Sequence, residues 1–477
     1  MNLTYQVNEK PTFGKTLVFA LQQLLAILAA TIAVPAVINN SVPGANMSQS
    51  AALFGAGVGT IVYLLFTKFR SPVFLGSSFA FIGSMIAAFA GGVSMSVGYL
   101  GLILGAAFAG LVYVVIAIIV KYAGVNWINK LMPAVVIGPT VSIIGLSLAG
   151  NAIGDLTSGG LKTAAGASVC NPYVALICGL VTLFTVIACS VYGKKMAKLI
   201  PFIIGILAGY VVAAIFTAIG YAANVDALKV IDFGKFANMQ WYPDFSFIEA
   251  FKGGYNFGEN GSLGTYILAI AVAYIPVAFV VFAEHIADHK NLSTIIGKDL
   301  IKDPGLDKTL LGDVVGSFAC ALFGGCPNTT YGESVACVAI TGNASVTTIL
   351  ATAIMAILAS FVAPFVTFLA TITNCVMGGV CVTLYGFIAV SGLKMIQKVD
   401  LGDNANLFVV SVILICGIGG LTVSFGKVSL TTVACSLILG IITNLICSKG
   451  RVSDANENEL DETDAEAAAT AEENSTI

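Results

Sequence analysis

The feature that most constrains this sequence is a succession of apolar stretches, each long enough to cross a lipid bilayer or, where broken, half of one. Inside a bilayer, such stretches can satisfy their backbone polar groups only as helices or closed barrels. Charged residues make up 10% of the chain, against about a quarter in water-soluble domains. These properties exclude a soluble fold and predict an all-α integral membrane protein.

Fourteen such stretches can be counted, in two sets of seven separated by a polar connection at 224–262. An odd-numbered unit that occurs twice in one chain must insert the second time with opposite orientation, so the sequence predicts a seven-plus-seven inverted repeat. The first set lies at 17–38, 51–66, 72–90, 99–120, 133–150, 173–192 and 200–222, and the second at 265–287, 309–324, 327–341, 346–370, 376–393, 407–426 and 430–447.

The 22 Lys and Arg residues orient these spans. Most of them fall in connections on one side of the membrane when the polar N-terminus, 1–16, is placed in the cytoplasm, as expected for cytoplasmic loops. Both termini are then cytoplasmic, and the connection at 224–262 is extracellular. The acidic segment 452–477 is predicted to be a disordered cytoplasmic tail. The net charge of −3 offers no basic surface for nucleic acid.

The third stretch of each half is interrupted in a matching way. The first contains Pro72 and Gly76, and the second contains Pro327 and Gly332. Proline removes a backbone donor and glycine loosens a helix, so each segment is expected to begin as a short strand and to continue as a half-helix from about Gly76 and Gly332. Paired broken spans point to a substrate site. The alternative is two loops that dip into the bilayer without such a role.

Three acidic residues, Glu284, Asp313 and Glu333, fall well inside the predicted spans, and Asp288 lies at the cytoplasmic end of the eighth. An ionised carboxylate at the bilayer centre costs about 3 kcal/mol, so each is expected to face a polar cavity or to hold a proton. Glu284 and Asp288 are four residues apart and share a helical face. Two like charges this close cannot both ionise cheaply, which predicts a proton carrier. The alternative is an acid satisfied by neighbouring hydroxyl and backbone groups.

Glu333 follows Gly332 at the start of the second half-helix, where free N–H groups and the helix dipole favour an electronegative oxygen. Carboxylates beside N–H donors complement a planar ligand with alternating N–H and C=O groups, such as a pyrimidine or purine base. Ordinary packing is the commoner role for an aromatic residue in a span. The aromatic residues that could stack on such a base are Phe79, Phe81, Tyr331 and Tyr385.

His285 and His289, the only histidines, offer a competing interpretation because their i, i+4 spacing can bind a metal. In metalloproteases the glutamate stands between the two histidines, whereas Glu284 precedes both, and no third ligand is apparent. The commoner explanation is a cation-favouring helix end near the cytoplasm. We therefore expect no metal. A phosphate-binding G-x-x-x-x-G-K-[ST] loop is also missing from the sequence, so ATP-driven transport is not expected.

Through six motifs the chain resembles the nucleobase/ascorbate transporter family, and within it the uracil-transporting bacterial members. The resemblance extends over the whole chain except the acidic tail. The motifs are FLGSSFAFI (74–82), AEHIADHKN (283–291), DPGLDKTLLGD (303–313), GGCPNTTYGES (324–334), VMGG with LYG (376–386) and VSVILICGIGG (410–420).

The resemblance implies that spans one to four and eight to eleven form a core domain and that the other spans form a gate domain. Segment 17–150 would then hold the first four core spans and one gate span, 173–222 two gate spans, 265–370 the remaining core spans, and 376–447 the last three gate spans. The substrate would lie between the two domains. The resemblance also implies a homodimer in the lipid of a bacterial inner membrane.

For the site, the resemblance implies that Glu284 and Glu333 bind the nucleobase and that a proton gradient drives its uptake. The proton would be the coupling ion, and no cofactor is expected. Glu284, Asp288 and Asp313 are the residues expected to couple the proton. The backbone N–H groups of Phe79 and Gly332 would meet the carbonyl oxygens of the base, and Tyr331 and Tyr385 would line the pocket.

The sequence departs from the uracil-permease pattern at three places. Asp288 stands where His is frequent, Ser334 stands where Asn is expected, and Gln22-Gln23 replaces Gln-His. Asp288 is typical of purine carriers, which also share Asp313. A proton-coupled uracil symporter is therefore the leading expectation and a xanthine or purine permease the alternative. An anion transporter or a membrane metalloenzyme using His285 and His289 is a more distant alternative.

Overall fold

The computed structural model describes residues 3–124, 133–159, 169–194, 196–425 and 428–447, so the predicted acidic tail at 452–477 lies outside the described residues. Almost all secondary structure is helical. Elements of the first half are α1 (Phe13–Ser41), α2 (Gln49–Phe66), β1 (Leu75–Ser77), α3 (Ile82–Ala88), α4 (Met95–Ala123), α5 (Ala134–Ser147), α6 (Ala149–Leu156), α7 (Pro172–Tyr192), α8 (Met196–Leu199) and α9 (Pro201–Ala222).

The polar connection between the halves contains three short 3₁₀ helices, Asp226–Leu228, Phe233–Asn238 and Gly258–Asn260, and the short helix α10 (Ser246–Ala250). Elements of the second half are α11 (Leu263–Ile296), α12 (Leu306–Gly324), β2 (Asn328–Thr330), α13 (Gly332–Thr341), α14 (Val346–Ala359), α15 (Ala363–Thr371), α16 (Asn374–Ile396), α17 (Asn404–Ile418), β3 (Val423–Phe425), β4 (Val428–Leu430) and α18 (Thr432–Cys447).

Eight helices in the described part of the chain are long and apolar enough to cross a membrane, or nine if the bent pair α14 and α15 counts as one span. That pair, predicted as one stretch at 346–370, is bent by 84°. Pro364 lies in the first turn of α15, where its missing N–H would have no partner anyway, so a new helix can begin there. The stretch predicted at 407–426 also differs, since α17 ends at Ile418 and a β3–β4 hairpin follows.

Both broken segments begin as short strands, as predicted, and the two strands pair with each other. β1 and β2 are antiparallel, with Leu75 opposite Thr330 and Ser77 opposite Asn328. Strand pairing satisfies backbone groups that lipid could not, which allows extended chain at membrane depth. The pairing places Phe74, which precedes β1, beside Tyr331 at the start of α13.

The prediction of a half-helix from Gly76 is wrong, whereas the half-helix predicted from Gly332 does begin there. Gly76 lies inside β1, and α3 begins only at Ile82. The reason is a close contact, because a Cβ atom at Gly76 would lie 2.2 Å from the ring of Tyr331. Glycine is required here for the approach of an aromatic ring rather than for starting a helix.

The helices pack mainly within two sets. α1, α2, α4 and α11–α14 contact one another, and α5–α9, α16 and α17 form the second set. The N-terminal segment packs on the first set at the end of α13, where the Thr4 N–H donates to the Gly342 carbonyl at 2.7 Å. The division into moving core and gate domains stays a prediction.

Candidate functional site

A cavity of about 460 Å³ lies between the two sets of helices. Its volume is within the range of roughly 300–1,000 Å³ that small-molecule sites occupy. Apolar side chains form most of the wall, and its acidic side chains come from α11 and the start of α13. The predicted site residues on the wall are Phe79, Glu284, Asp288, Tyr331, Gly332 and Glu333.

The cavity extends along α13 toward the side of the molecule where the N-terminal segment lies. Its wall continues from Gly332 to Ile340, two residues before the contact between Gly342 and Thr4. Lys198, next to α9, lines the same end. Since Lys198 is exposed, this end is the mouth.

Two carboxylates reach the cavity from α11. Ser262 caps this helix by accepting the Thr265 N–H, and a long apolar run continues it through the bilayer. The Asp288 Oδ2 atom accepts a hydrogen bond of 2.7 Å from the Thr330 hydroxyl of β2. Within the described part of the chain, the Glu284 carboxylate has no hydrogen-bond partner. Its oxygens are therefore available to a ligand or a proton.

The N-terminal end of α13 supplies donors beside these acceptors. Gly332 is exposed to the cavity, and a Cβ atom there would meet only Asp288 Oδ1, 4.0 Å away. Glu333 lies in the first helical turn, where its carboxylate contacts its own backbone N–H. The first N–H groups of a helix have no intrahelical acceptor. The wall therefore places N–H donors next to carboxylate acceptors.

The predicted aromatic residues do not all reach the cavity. Phe79 lines it, and Tyr385 lies behind Phe79 in an edge-to-face contact with 5.9 Å between ring centroids. Tyr331 lines the cavity while its hydroxyl donates to the Ser77 carbonyl at 3.0 Å. Phe81 instead stacks on Tyr274 away from the wall. Phe79 and Tyr331 are therefore the two of these four residues that line the cavity.

Asp313, predicted to couple protons, is not on the cavity wall. It is fully buried behind α11, where Oδ2 lies 2.8 Å from His285 Nδ1. Thr309 donates to the Leu306 carbonyl, so its oxygen accepts the Nε2–H of His285 at 3.0 Å. Nδ1 and Asp313 therefore share one proton. Whether that proton lies on His285 or on Asp313, the pair has no net charge. A coupling role for Asp313 stays a prediction.

His289 completes a second set of bonds on the same side of α11. Its Nδ1 donates to the His285 carbonyl at 2.7 Å, and Nε2 lies 2.7 Å from the Tyr63 hydroxyl. All four imidazole nitrogens of the two histidines are thus engaged. The described residues contain no group of three His, Cys, Asp or Glu side chains arranged for a metal. The two rings, stacked at 4.1 Å, serve packing and hydrogen bonding instead.

Sequence reasoning missed three residues that position the site. Thr330 bonds Asp288, and Gln23 donates to Ser334 beside Glu333. Thr330 is the last residue of β2, so only the strand register shows that it faces α11. A signal for Gln23 and Ser334 existed, because both depart from the family pattern.

A helical membrane protein with a polar site between paired broken spans has the architecture of a transporter. The Permease family profile, Xan_ur_permease, matches residues 14–426. The chain belongs to this family, the nucleobase/ascorbate transporter family, and is a transporter rather than an enzyme.

Two relatives match almost the full length. The uracil permease of Bacillus caldolyticus is 38% identical over 448 residues, which cover 92% of this chain and 94% of the relative. The uracil permease of Bacillus subtilis (strain 168) is 36% identical over 461 residues, covering 95% and 97%. Among solved structures, the transmembrane domain of the cyanobacterial bicarbonate transporter BicA has a similar fold, with a TM-score of 0.56, 14% identity and coverage of 92% of this chain and 100% of that domain.

Proposed function

We propose that this chain is a proton-coupled uracil symporter that imports the base across a bacterial inner membrane. The observation that supports it most is that Glu284 and Glu333, from two different elements, line one cavity with the N-terminal end of a half-helix. The names of the two Bacillus relatives support the choice of substrate. No cofactor other than the transported proton is required.

In this proposal the two carboxylates accept the N–H groups of uracil, and its carbonyl oxygens meet the backbone N–H groups of Gly332 and Phe79. Phe79 and Tyr331 close the pocket around the ring. Tyr385 acts through Phe79, which it contacts. A flat heterocycle with alternating donors and acceptors complements these carboxylates and backbone N–H groups.

Proton coupling is assigned to Glu284 and Asp288. Neutralising this face removes the repulsion between two neighbouring carboxylates and lowers the cost of closing the site around the base. Asp313 contributes through His285, which follows Glu284 directly in α11 and holds the helix to α12. Release of base and proton into the cytoplasm then resets the site.

The proposed topology is fourteen spans in an inverted repeat with both termini in the cytoplasm. It counts β1–α3, α5–α6, β2–α13 and α14–α15 as one span each, besides α1, α2, α4, α7, α9, α11, α12, α16, α17 and α18. The first packing set, with α3 and α15, is the core and the second, with α18, the gate. By analogy with the family, two copies form a homodimer.

The described conformation then faces the cytoplasm. The mouth is on the side of the N-terminal segment. One contact between the two sets lies near the opposite end of α1. There, Asn40 donates to Asp155 of α6 at 3.1 Å. Phe79 against Tyr385 is a second contact between the sets. Alternating access requires these contacts to open when the mouth closes.

The decisive experiment replaces Glu333 by Ala. Truncation removes an acceptor for the base without filling the cavity, so uracil binding is expected to be lost. Binding is measured on purified protein in detergent by calorimetry, and a melting curve verifies that the variant is folded. Wild-type affinity in a folded Glu333→Ala protein would show that the site is wrongly assigned.

A xanthine or purine permease is the second candidate. Asp288 favours it, because this acid bonds Thr330 at the place where uracil permeases often have His. The test is uptake of radiolabelled uracil into proteoliposomes, with and without an inward proton gradient, challenged by unlabelled thymine, xanthine and hypoxanthine. Displacement by xanthine at concentrations at which thymine fails would favour the purine carrier.

A further inference from the structure

A buried hydrogen bond lies directly behind the proposed base site. The Gln23 side chain of α1 donates from Nε2 to Ser334 Oγ at 2.6 Å. Gln23 is 3% exposed and Ser334 is completely buried. In such surroundings a polar group that loses its partner is costly, so the bond holds its two elements at one separation. It fixes the distance between α1 and the first turn of α13.

The same Ser334 oxygen joins a third element. It accepts the N–H of Phe74, the residue before β1, at 3.1 Å. The Tyr331 N–H in turn reaches the Phe74 carbonyl at 3.3 Å. One hydroxyl oxygen therefore connects α1, the start of β1 and the N-terminal end of α13. Phe79, Gly332 and Glu333, which line the cavity, belong to the segments that this oxygen connects.

Ser334 controls the neighbouring carboxylate by geometry. Successive residues of an α-helix point about 100° apart, so Ser334 can face α1 while Glu333 faces the cavity. A displacement of this anchor is transmitted to Glu333 through the rigid first turn. Binding geometry must be held within about 0.5 Å to be productive. The length of the Gln23 and Ser334 side chains together therefore decides where the carboxylate stands.

Gln23 and Ser334 are also two of the three places at which the sequence departs from the uracil-permease pattern, and here they touch. In this chain the long amide of Gln23 meets the short hydroxyl of Ser334. The uracil-permease pattern would instead pair a histidine imidazole, carried on a single methylene, with the longer amide of an asparagine. Counted to the histidine Nδ1 atom, the extra bond of reach in Gln23 offsets the bond of reach that serine lacks relative to asparagine. Either change alone would leave the pair too long or too short.

We propose that Gln23 and Ser334 form a matched pair of positioning residues that sets the place of the Glu333 carboxylate and thereby the affinity for the base. This inference rests on the proposed function. It does not give either residue a direct contact with the base. It explains why the two departures occur together.

The test is a double-mutant cycle with Gln23→His, Ser334→Asn and the combined variant. Affinities for uracil and xanthine are measured on purified protein, and the melting temperature is measured without base. Each single replacement is expected to weaken binding at least tenfold, and the combined variant is expected to bind within threefold of wild type. Should a single variant fail to fold, recovered folding and binding in the combined variant supports the pair, and no recovery overturns it.

Gln22→His is the matched control. The Gln22 amide contacts Met196 Sδ at 3.0 Å on the other side of α1, so affinity is expected within twofold of wild type. If the effects of the two replacements on affinity are additive, the proposal is overturned, even if the melting temperatures show coupling. It is also overturned if the single variants bind the base normally. A wild-type protein that binds neither base would overturn the proposed function instead, so the two failures are distinguishable.

Discussion

The two faces of α11 carry ionisable residues one position apart in sequence, yet these residues are bonded in opposite ways. On the face toward the cavity, Glu284 has no hydrogen-bond partner among the described residues, and Asp288 has one, Thr330. On the back face, every ring nitrogen of His285 and His289 is engaged. A polar group with all its hydrogen bonds made is fixed by the fold. A group at a cavity that lacks a partner is available to bind a ligand or a proton.

The difference arises from the neighbours of each face rather than from the helix. The back face meets α12 and α2, which present Asp313, Thr309 and Tyr63 to the imidazole rings. The cavity face meets β2, the start of α13 and the open space of the cavity. The number of ionisable groups in a span is therefore a weak guide to function. The number of partners that each group already has is a stronger one.

The largest effect is expected from Glu284→Gln on the cavity face. Glutamine keeps the size of the side chain and can still bond a base, but it cannot exchange a proton. Gradient-driven accumulation of uracil in proteoliposomes is expected to be lost, at least a hundredfold below wild type. Exchange of labelled for unlabelled uracil, which needs no net proton movement, is expected to continue and serves as the control. Undiminished concentrative uptake would remove Glu284 from the coupling role.

Replacing His285 by Ala tests the back face and is expected to act on stability. It leaves the buried Asp313 without its partner, and leaving a buried polar group unsatisfied in this way costs about 1–3 kcal/mol, and more if the group is charged. Thermal unfolding in detergent should show a large decrease in melting temperature. Glu284→Gln, which breaks no bond, should melt close to wild type. A His285→Ala protein that melts normally but no longer accumulates uracil would show that the back face is functional.

Much of the candidate site could be singled out in the sequence because burial of charge in lipid is so costly. Glu284, Asp288 and Glu333 could be singled out by their position in apolar spans, and all three line one cavity. The two broken segments were marked by proline and glycine, and both begin as strands. Family membership followed from motifs and is confirmed by the match over residues 14–426. The hydrogen-bond partners of the acidic residues were not predicted.

Hydrogen-bond partners depend on contacts between segments distant in sequence, and the hydrophobic periodicity of a sequence does not report such contacts. Asp313 satisfied the same criterion as Glu284, yet it meets His285 across 28 residues and does not line the cavity. Gly76 was predicted to start a helix. Glycine is needed there instead because the ring of Tyr331, 255 residues away in sequence, packs against it. Tyr385 was placed at the pocket by resemblance and lies behind Phe79. Each difference is a matter of tertiary packing.

The smallest effect is expected from Tyr63→Phe. This replacement removes a single oxygen from the back face of α11 and so tests the difference between its two faces most finely. Without that hydroxyl, His289 Nε2 loses the partner at 2.7 Å. Hydrogen bonds between membrane helices contribute about 0.6 kcal/mol on average and rarely more than about 1.7 kcal/mol. The melting temperature should fall slightly, and uptake should stay near wild type. Tyr122→Phe, on a side chain that is 81% exposed, is the control without a measurable shift. If Tyr63→Phe instead abolishes accumulation at normal stability, protons pass through the histidines, and the distinction between the two faces of α11 is wrong.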